Sequence, residues 1–165
     1  MEQKILLITG GTGYIGSHAV VAFEQAGYKT VIIDNLSNSS RKSLDGIQKI
    51  LWYTPDFYEC DICDQIGLKN IFEKYSFDGV IHFAGLKAVG ESCEEVELYH
   101  SNNVWGSITL FWVMQEFWVH KIVFSSSATV YSPDNISPLR EDMPLATTNP
   151  YWTTKLIIEK LLEDY

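Results

Sequence analysis

Thr9-Gly10-Gly11-Thr12-Gly13-Tyr14-Ile15-Gly16 decides the fold of this 165-residue chain. The stretch reads as GxxGxxG from Gly10 or as GxGxxG from Gly11. Just before it, Ile5-Leu6-Leu7-Ile8 is an uninterrupted apolar run, as expected of a strand buried on both faces. Just after it, apolar and small residues recur at three- and four-residue steps from Ile15 to Ala26, and Gly27 closes that helix. Strand, glycine turn and helix in succession build a cradle. One glycine makes the tight turn, another lets backbone N–H groups approach a pyrophosphate, and Gly16 lets helix and strand pack closely. No Gly-Lys-Ser/Thr follows, which excludes a P-loop.

The same alternation continues outward. Thr30-Val31-Ile32-Ile33 reads as a second strand, ending at Asp34 in a polar loop (Asn35 to Ser40) before a helix marked by Leu44, Ile47 and Leu51. Phe57 to Cys60 is the third strand, Ile66 to Tyr75 the third helix, and Val80 to Phe83 the fourth strand. A long helical stretch from about Glu95 to Glu116 leads to a fifth strand, Lys121 to Phe124. Pro133 to Pro150 is loop-like and holds four of the five prolines. Asn149 then reads as an N-cap, with Pro150 at the first helical position and the helix running from Tyr151 to Leu162. Strands alternating with helices predict an α/β, doubly wound parallel sheet of at least five strands, a Rossmann-like arrangement. No sixth strand follows. The expectation is therefore one incomplete domain over residues 1–165, cut short before the last strand and any substrate domain.

Composition narrows the function. Twelve Lys and Arg against 21 Asp and Glu give a net charge of -9, the wrong sign for a chain that neutralises phosphates, so nucleic acid is excluded as a partner. With 46% hydrophobic and 13% aromatic residues the chain can fill a core. No apolar run approaches the roughly 20 residues of a membrane span, and the N-terminus lacks a signal peptide's layout. Three cysteines, an odd number, predict a reducing compartment, the cytosol. Cys60 and Cys63 form a CxxC without a second pair, so no metal site is expected, and Cys93 is expected in the core. His82, inside a strand, reads as a core residue. Core packing accounts for Trp105, Trp112 and Trp118 along the fourth helix.

Two further groups carry chemistry. Asp34 lies 18 residues past Gly16 at the end of strand two, where a carboxylate accepts hydrogen bonds from ribose hydroxyls and repels a 2′-phosphate, selecting NAD over NADP. Tyr151 and Lys155, spaced i, i+4, share one helix face. An ammonium beside a phenol favours phenolate, so Lys155 is expected to lower the Tyr151 pKa and make it a general base toward a sugar hydroxyl. Ser127, ending strand five, reaches the carboxyl edge of the sheet.

These residues resemble the N-terminal half of the UDP-glucose 4-epimerases, within the extended short-chain dehydrogenase/reductase superfamily. The resemblance spans essentially the whole chain. It is most specific at Thr9 to His18, Asp34 to Ser39, Val80 to Ser92 (VIHFAGLKAVGES) and Phe124 to Tyr131 (FSSSATVY). Dehydratases of nucleotide-sugars show Thr-Asp-Glu where this chain has Ser126-Ser127-Ala128. The resemblance implies a tightly held NAD and interconversion of UDP-glucose and UDP-galactose by transient oxidation at C4. Tyr151 would take the 4-hydroxyl proton, Lys155 would hold the nicotinamide ribose, and Ser127 would bind the reacting oxygen. Matched positions imply cofactor contacts from Gly10, Gly13, Tyr14, Ile15, Gly16, Asp34, Asn35, Leu36, Ser37, Asn38, Ser39, Asp61, Ile62, Phe83, Ala84, Gly85, Lys87 and Asn102, with Lys87 also near substrate. Members commonly pair as homodimers through the fourth helix and its neighbour.

Three positions depart from the family's glycines: Trp118, Ser132 and Trp152. Trp118 ends the fourth helix, where φ above zero is expected at a cost on the order of 1–2 kcal/mol. Trp152 follows the proposed base and could crowd it. A noncatalytic NAD-binding remnant is therefore the alternative reading.

Overall fold

Five parallel strands form one sheet in the order β3-β2-β1-β4-β5, in a computed structural model that describes residues 3–165. The strands are β1 (Ile5–Thr9), β2 (Lys29–Asp34), β3 (Asp56–Glu59), β4 (Gly79–His82) and β5 (Ile122–Phe124). Starting in the middle at β1, the chain winds outward to β3 and then reverses to β4 and β5. In such sheets ligands bind beyond the carboxyl ends, at the reversal point. The register pairs Thr9 with Ile33 on one side and with His82 on the other, so the glycine loop leaves the sheet between the ends of β2 and β4.

The chain divides into two compact units: residues up to Gly85 with Ile108–Ser125, and Leu86–Ser107 with Ser126–Tyr165. The first holds the whole sheet. Leu7, Ile8, Val31, Ile32 and Ile33 are fully buried, which explains the unalternated apolar runs, and each such side chain stabilises the fold by about 1.5–3 kcal/mol. α1 (Tyr14–Gln25) and α2 (Lys42–Leu51) pack one face, with Val20 and Ile47 set against Leu6, Ile8, Ile32 and Ile81. α3 (Gln65–Phe72) starts at Asp64, whose carboxylate caps Gly67 N–H. His82 is buried, with Nδ1 2.6 Å from Thr9 Oγ1, a satisfied core histidine as expected.

The long helix differs most from expectation. α4 (Val89–Glu94) begins earlier, and the chain breaks helical geometry at Glu95 (φ -116°, ψ 53°). It resumes as α5 (Val96–Tyr99), a π-helical segment (His100–Trp105) and α6 (Gly106–Glu116). At the start of α6, Ser107 Oγ donates to Asn103 O of the π segment at 2.6 Å, a side chain competing for a helical acceptor. Trp105, Trp112 and Trp118 are exposed rather than core. Leu110, Phe111, Val113 and Met114 take the buried positions instead, and in a helix apolar all round the sequence pattern cannot select the buried face. Cys93 is exposed as well, while its neighbour Ser92 is buried.

Two helix ends share one geometry. After α1, Gly27 takes φ +90° and Tyr28 N–H reaches back to Phe23 O at 3.0 Å. After α6, Trp118 takes φ +59° and Val119 N–H reaches Met114 O at 2.8 Å. This is the left-handed cap that glycine fills without strain, here filled by tryptophan as anticipated. Ser132 and Trp152 are not among the positive-φ residues of the described chain.

α7 (Pro150–Asp164) begins as expected, with the Asn149 side chain accepting from Trp152 N–H at 3.0 Å. Among the described residues no helix is long and apolar enough to cross a membrane, and no cluster of three or more His, Cys, Asp or Glu could hold a metal ion.

Candidate functional site

The cradle of the first unit is set by backbone geometry. Gly10 N–H donates to Ile33 O at 2.9 Å and Gly13 N–H to Gly10 O at 3.1 Å, which fixes the turn against the end of β2. Gly10 has φ +67°, and a Cβ there would sit 2.7 Å from Ala84 N. At Gly16 a Cβ would lie 2.2 Å from Gly10 O, so only glycine lets α1 start this close to the turn. α1 has Gly13 at its N-cap, no side-chain cap and no acidic residue in its first turn. Its N–H groups and dipole thus favour an anion. Tyr14 and Ile15 are exposed, at 77% and 59%.

Asp34 is organised by its own loop. Its Oδ2 accepts from Thr12 N–H at 3.1 Å, and its Oδ1 from Leu36 N–H and Ser39 Oγ, both at 2.9 Å. Three of a carboxylate's roughly four acceptor sites are used, leaving room for a ribose hydroxyl. Leu36 takes φ +60° to turn the loop, and Thr12 Oγ1 closes the ring 2.7 Å from Ser39 Oγ. Asn35 Nδ2 donates to Asp61 Oδ2 at 2.7 Å, joining the loops after β2 and β3, and Ile62 beside it is buried. Phe83 N–H and Ala84 N–H bond to Thr9 O and Oγ1, at 3.1 and 3.2 Å. Asp34 to Ser37, Ser39, Asp61, Phe83 and Ala84 are thus tied to the glycine loop or to one another within this unit. These features fit a dinucleotide's adenosine and pyrophosphate. Cys60, next to Asp61, has its thiol pushed up to about 11 by burial and by Asp64 and Asp61, which leaves it unreactive.

The second unit holds Ser127, Tyr151, Lys155, Lys87 and Asn102. Lys155 is 6% exposed, and its Nζ lies 6.0 Å from the centre of the half-buried Tyr151 ring. Burial drops the Lys155 pKa to about 8 and raises that of Tyr151. The expected lowering of Tyr151 by the ammonium is therefore overturned. Desolvation of both groups outweighs their attraction at this separation. Ser127 caps the 3₁₀ turn Ala128–Val130, its Oγ 2.6 Å from Thr129 Oγ1. Ser126 Oγ donates to Glu159 of α7. Lys87 is exposed, and Asn102 Nδ2 donates to Asn103 Oδ1 at 2.9 Å.

Thr12, Tyr99, Asn103 and Thr154 have structural parts in these sites that sequence reading missed. The signal available was an asparagine in mid-helix beside another, since asparagine is a poor interior helix former.

Comparison with known proteins places the chain in a family. Residues 6–165 match the NAD dependent epimerase/dehydratase family. The chain belongs to that family. Members of the NAD dependent epimerase/dehydratase family with high similarity include the UDP-glucose 4-epimerase of Bacillus subtilis, 48% identical over 96% of this chain and 47% of the relative. That of Yersinia enterocolitica is 50% identical over 97% and 48%. Among solved structures, the epimerase of Bifidobacterium longum in complex with NAD+ and UDP superposes with a TM-score of 0.95 and 40% identity, over 98% of this chain and 48% of that one. The epimerase of Stenotrophomonas maltophila, with bound NAD and formylated UDP-arabinopyranose, gives 0.94 and 41%, over 99% and 48%. The chain spans about half the length of the relatives it matches.

Proposed function

We propose that this chain provides the NAD-binding and proton-transfer residues of a UDP-glucose 4-epimerase, interconverting UDP-glucose and UDP-galactose. The observation that carries the reading is the Tyr151–Lys155 pair on α7. Burying an ammonium at 6% exposure beside a phenol is costly, and perturbed titratable pairs of this kind collect at reaction centres. Gly10, Gly13, Tyr14, Ile15 and Gly16 would receive the pyrophosphate, Asp34 to Ser39 the adenosine ribose, and Asp61 and Ile62 the adenine. Phe83, Ala84, Gly85 and Asn102 would complete the cofactor contacts, with Lys155 at the nicotinamide ribose. When bound, NAD supplies a reversible hydride acceptor for C4 of the sugar.

The chain's own residues handle the proton and the oxygen. Tyr151 Oη would remove the 4-hydroxyl proton and return it to the same oxygen after the 4-keto sugar has turned its other face, so that inversion comes from the face on which C4 regains its hydrogen. Ser127 Oγ hydrogen-bonds the reacting oxygen and holds it in line with Tyr151. Lys155 favours the phenolate form whenever it is charged, and Lys87 offers an exposed ammonium to a phosphate or ribose. Asp34 favours NAD over NADP by repelling a 2′-phosphate. We place this action in the cytosol, with a homodimer formed through α6, where Trp112 is exposed.

The half-length match supports a second reading, NAD binding without turnover by this 165-residue stretch on its own. Titration with NAD and NADP, followed by tryptophan fluorescence, tests the shared part. Preferred binding of NAD, weakened at least tenfold in Asp34→Ala, supports it, and a folded chain that binds neither nucleotide overturns both readings. Adding UDP-galactose and assaying UDP-glucose then separates epimerase from binding protein. Light scattering tests the dimer.

A further inference from the structure

Lys87 is exposed, yet the residues on both sides of it are fastened. Leu86 N–H donates to Asn103 Oδ1 at 2.8 Å, and Leu86 O accepts from Asn103 Nδ2 at 2.9 Å, so one side chain pairs with this backbone as a neighbouring strand would. On the other side, Ala88 N–H donates to the Tyr99 hydroxyl at 2.9 Å, which in turn donates to Glu91 at 2.6 Å. The same two side chains also meet the turn of α7 that carries Tyr151. Asn103 Nδ2 donates to Thr154 Oγ1 at 3.1 Å, and Thr154 Oγ1 donates to Tyr151 O at 2.6 Å. The Tyr99 ring stands edge-on to the Tyr151 ring, with centres 6.4 Å apart.

Asn103 is 2% exposed, and Thr154 and Tyr99 are fully buried. With Asn102 Nδ2 on its Oδ1, Asn103 has both amide protons donated and its oxygen accepting twice. These bonds reach two separate segments rather than one, and π-helical segments such as the one holding Asn103 recur at functional sites.

We propose that Asn103 and Tyr99 are positioning residues, which hold the Lys87 loop and the Tyr151 turn as one body through Thr154 and the Tyr151 ring. The inference rests on the epimerase reading for its use, since the two held groups are those assigned there to the cofactor and substrate. Its geometry stands without that reading.

Native-state amide exchange on the 165-residue chain is the first test. Coupling predicts that the amides of Leu86, Ala88 and Lys155 open together, with one protection level. Thr154→Val, which removes the bonds from Asn103 to Thr154 and from Thr154 to Tyr151 O, should lower the protection of Leu86 and shift the Lys87 side-chain resonances, although neither bond involves Lys87. Thr154→Ser should restore both. NAD affinity should fall about tenfold in the valine variant, the loss of roughly one buried hydrogen bond, and stay within about twofold of wild type in the serine variant. Should Thr154→Val not fold, Tyr99→Phe, which frees Ala88 while keeping the ring, takes its place with the same readouts. Independent opening of Leu86, Ala88 and Lys155 in the wild type overturns the inference. So does a folded Thr154→Val with wild-type Lys87 resonances and NAD affinity. A wild-type chain that binds no NAD overturns the epimerase reading instead, and leaves the exchange data to decide the coupling.

Discussion

Trp118 holds an 83% exposed ring on a backbone at φ +59°, so its side chain gains little from packing while its main chain is strained. Trp118→Gly should stabilise the chain by about 1 kcal/mol, the relief of left-handed strain less glycine's larger unfolded-state entropy. Trp152 is the contrast. It lies half-buried in the first turn of α7, its N–H held by Asn149, so Trp152→Gly should destabilise by about 1 kcal/mol or more. Urea midpoints of the two variants check both signs. Gly16→Ala should abolish NAD binding and lower stability, because its Cβ would meet Gly10 O at 2.2 Å, a backbone atom that cannot move aside. The glycines and Asp34 were legible in the sequence because their roles depend on local backbone geometry and chain order. The acceptors that Asp34 spends on Thr12, Leu36 and Ser39 were not, because they depend on how the loop closes.

At the scale of elements, α7 shows a local signal sufficing. Asn149 and Pro150 alone mark its start, and the cap forms as read. Asn149→Ala should cost about 1 kcal/mol and loosen the turn carrying Tyr151, measurable as a lower thermal midpoint with weaker NAD binding. The run from Val89 to Glu116 shows the opposite. Its helical character was legible only from about Glu95 onward, no proline or glycine marks the break at Glu95, and Gly106 at the end of the π segment does not announce it. The π segment holds Asn103, whose side chain bonds to Leu86 and Thr154 far along the chain, partners that no local pattern encodes. The same limitation misplaced the tryptophans. Where every face of a helix is apolar, burial is settled by neighbouring elements.

For the molecule as a whole, Lys155 links the site to stability. Below about pH 8 it is protonated both folded and unfolded, and its burial costs stability in full. Between about pH 8 and its ordinary 10.5 the folded chain has released a proton that the unfolded chain still holds, so its contribution rises with pH. Tyr151 acts oppositely. Its raised pKa means that the folded chain keeps a proton above about pH 10, and stability falls there. Lys155→Met should therefore be more stable than wild type by on the order of 2–3 kcal/mol at pH 7, with the gap shrinking from pH 8 to 10. Denaturation at pH 7, 8, 9 and 10, compared between the two chains, measures it.

The sequence by itself determined the strand–helix alternation, the doubly wound parallel sheet, the glycine cradle, Asp34 and the Tyr151–Lys155 spacing, while the strand order with its reversal at β1 came from the fold. Each feature read from the sequence depends on periodicity or on residues close in the chain. Only the tertiary structure decided the titration of that pair, because desolvation is a property of everything packed around it. It alone also decided the clamp on Lys87, which joins residues 86, 103 and 154 by hydrogen bonds whose partners meet only after folding.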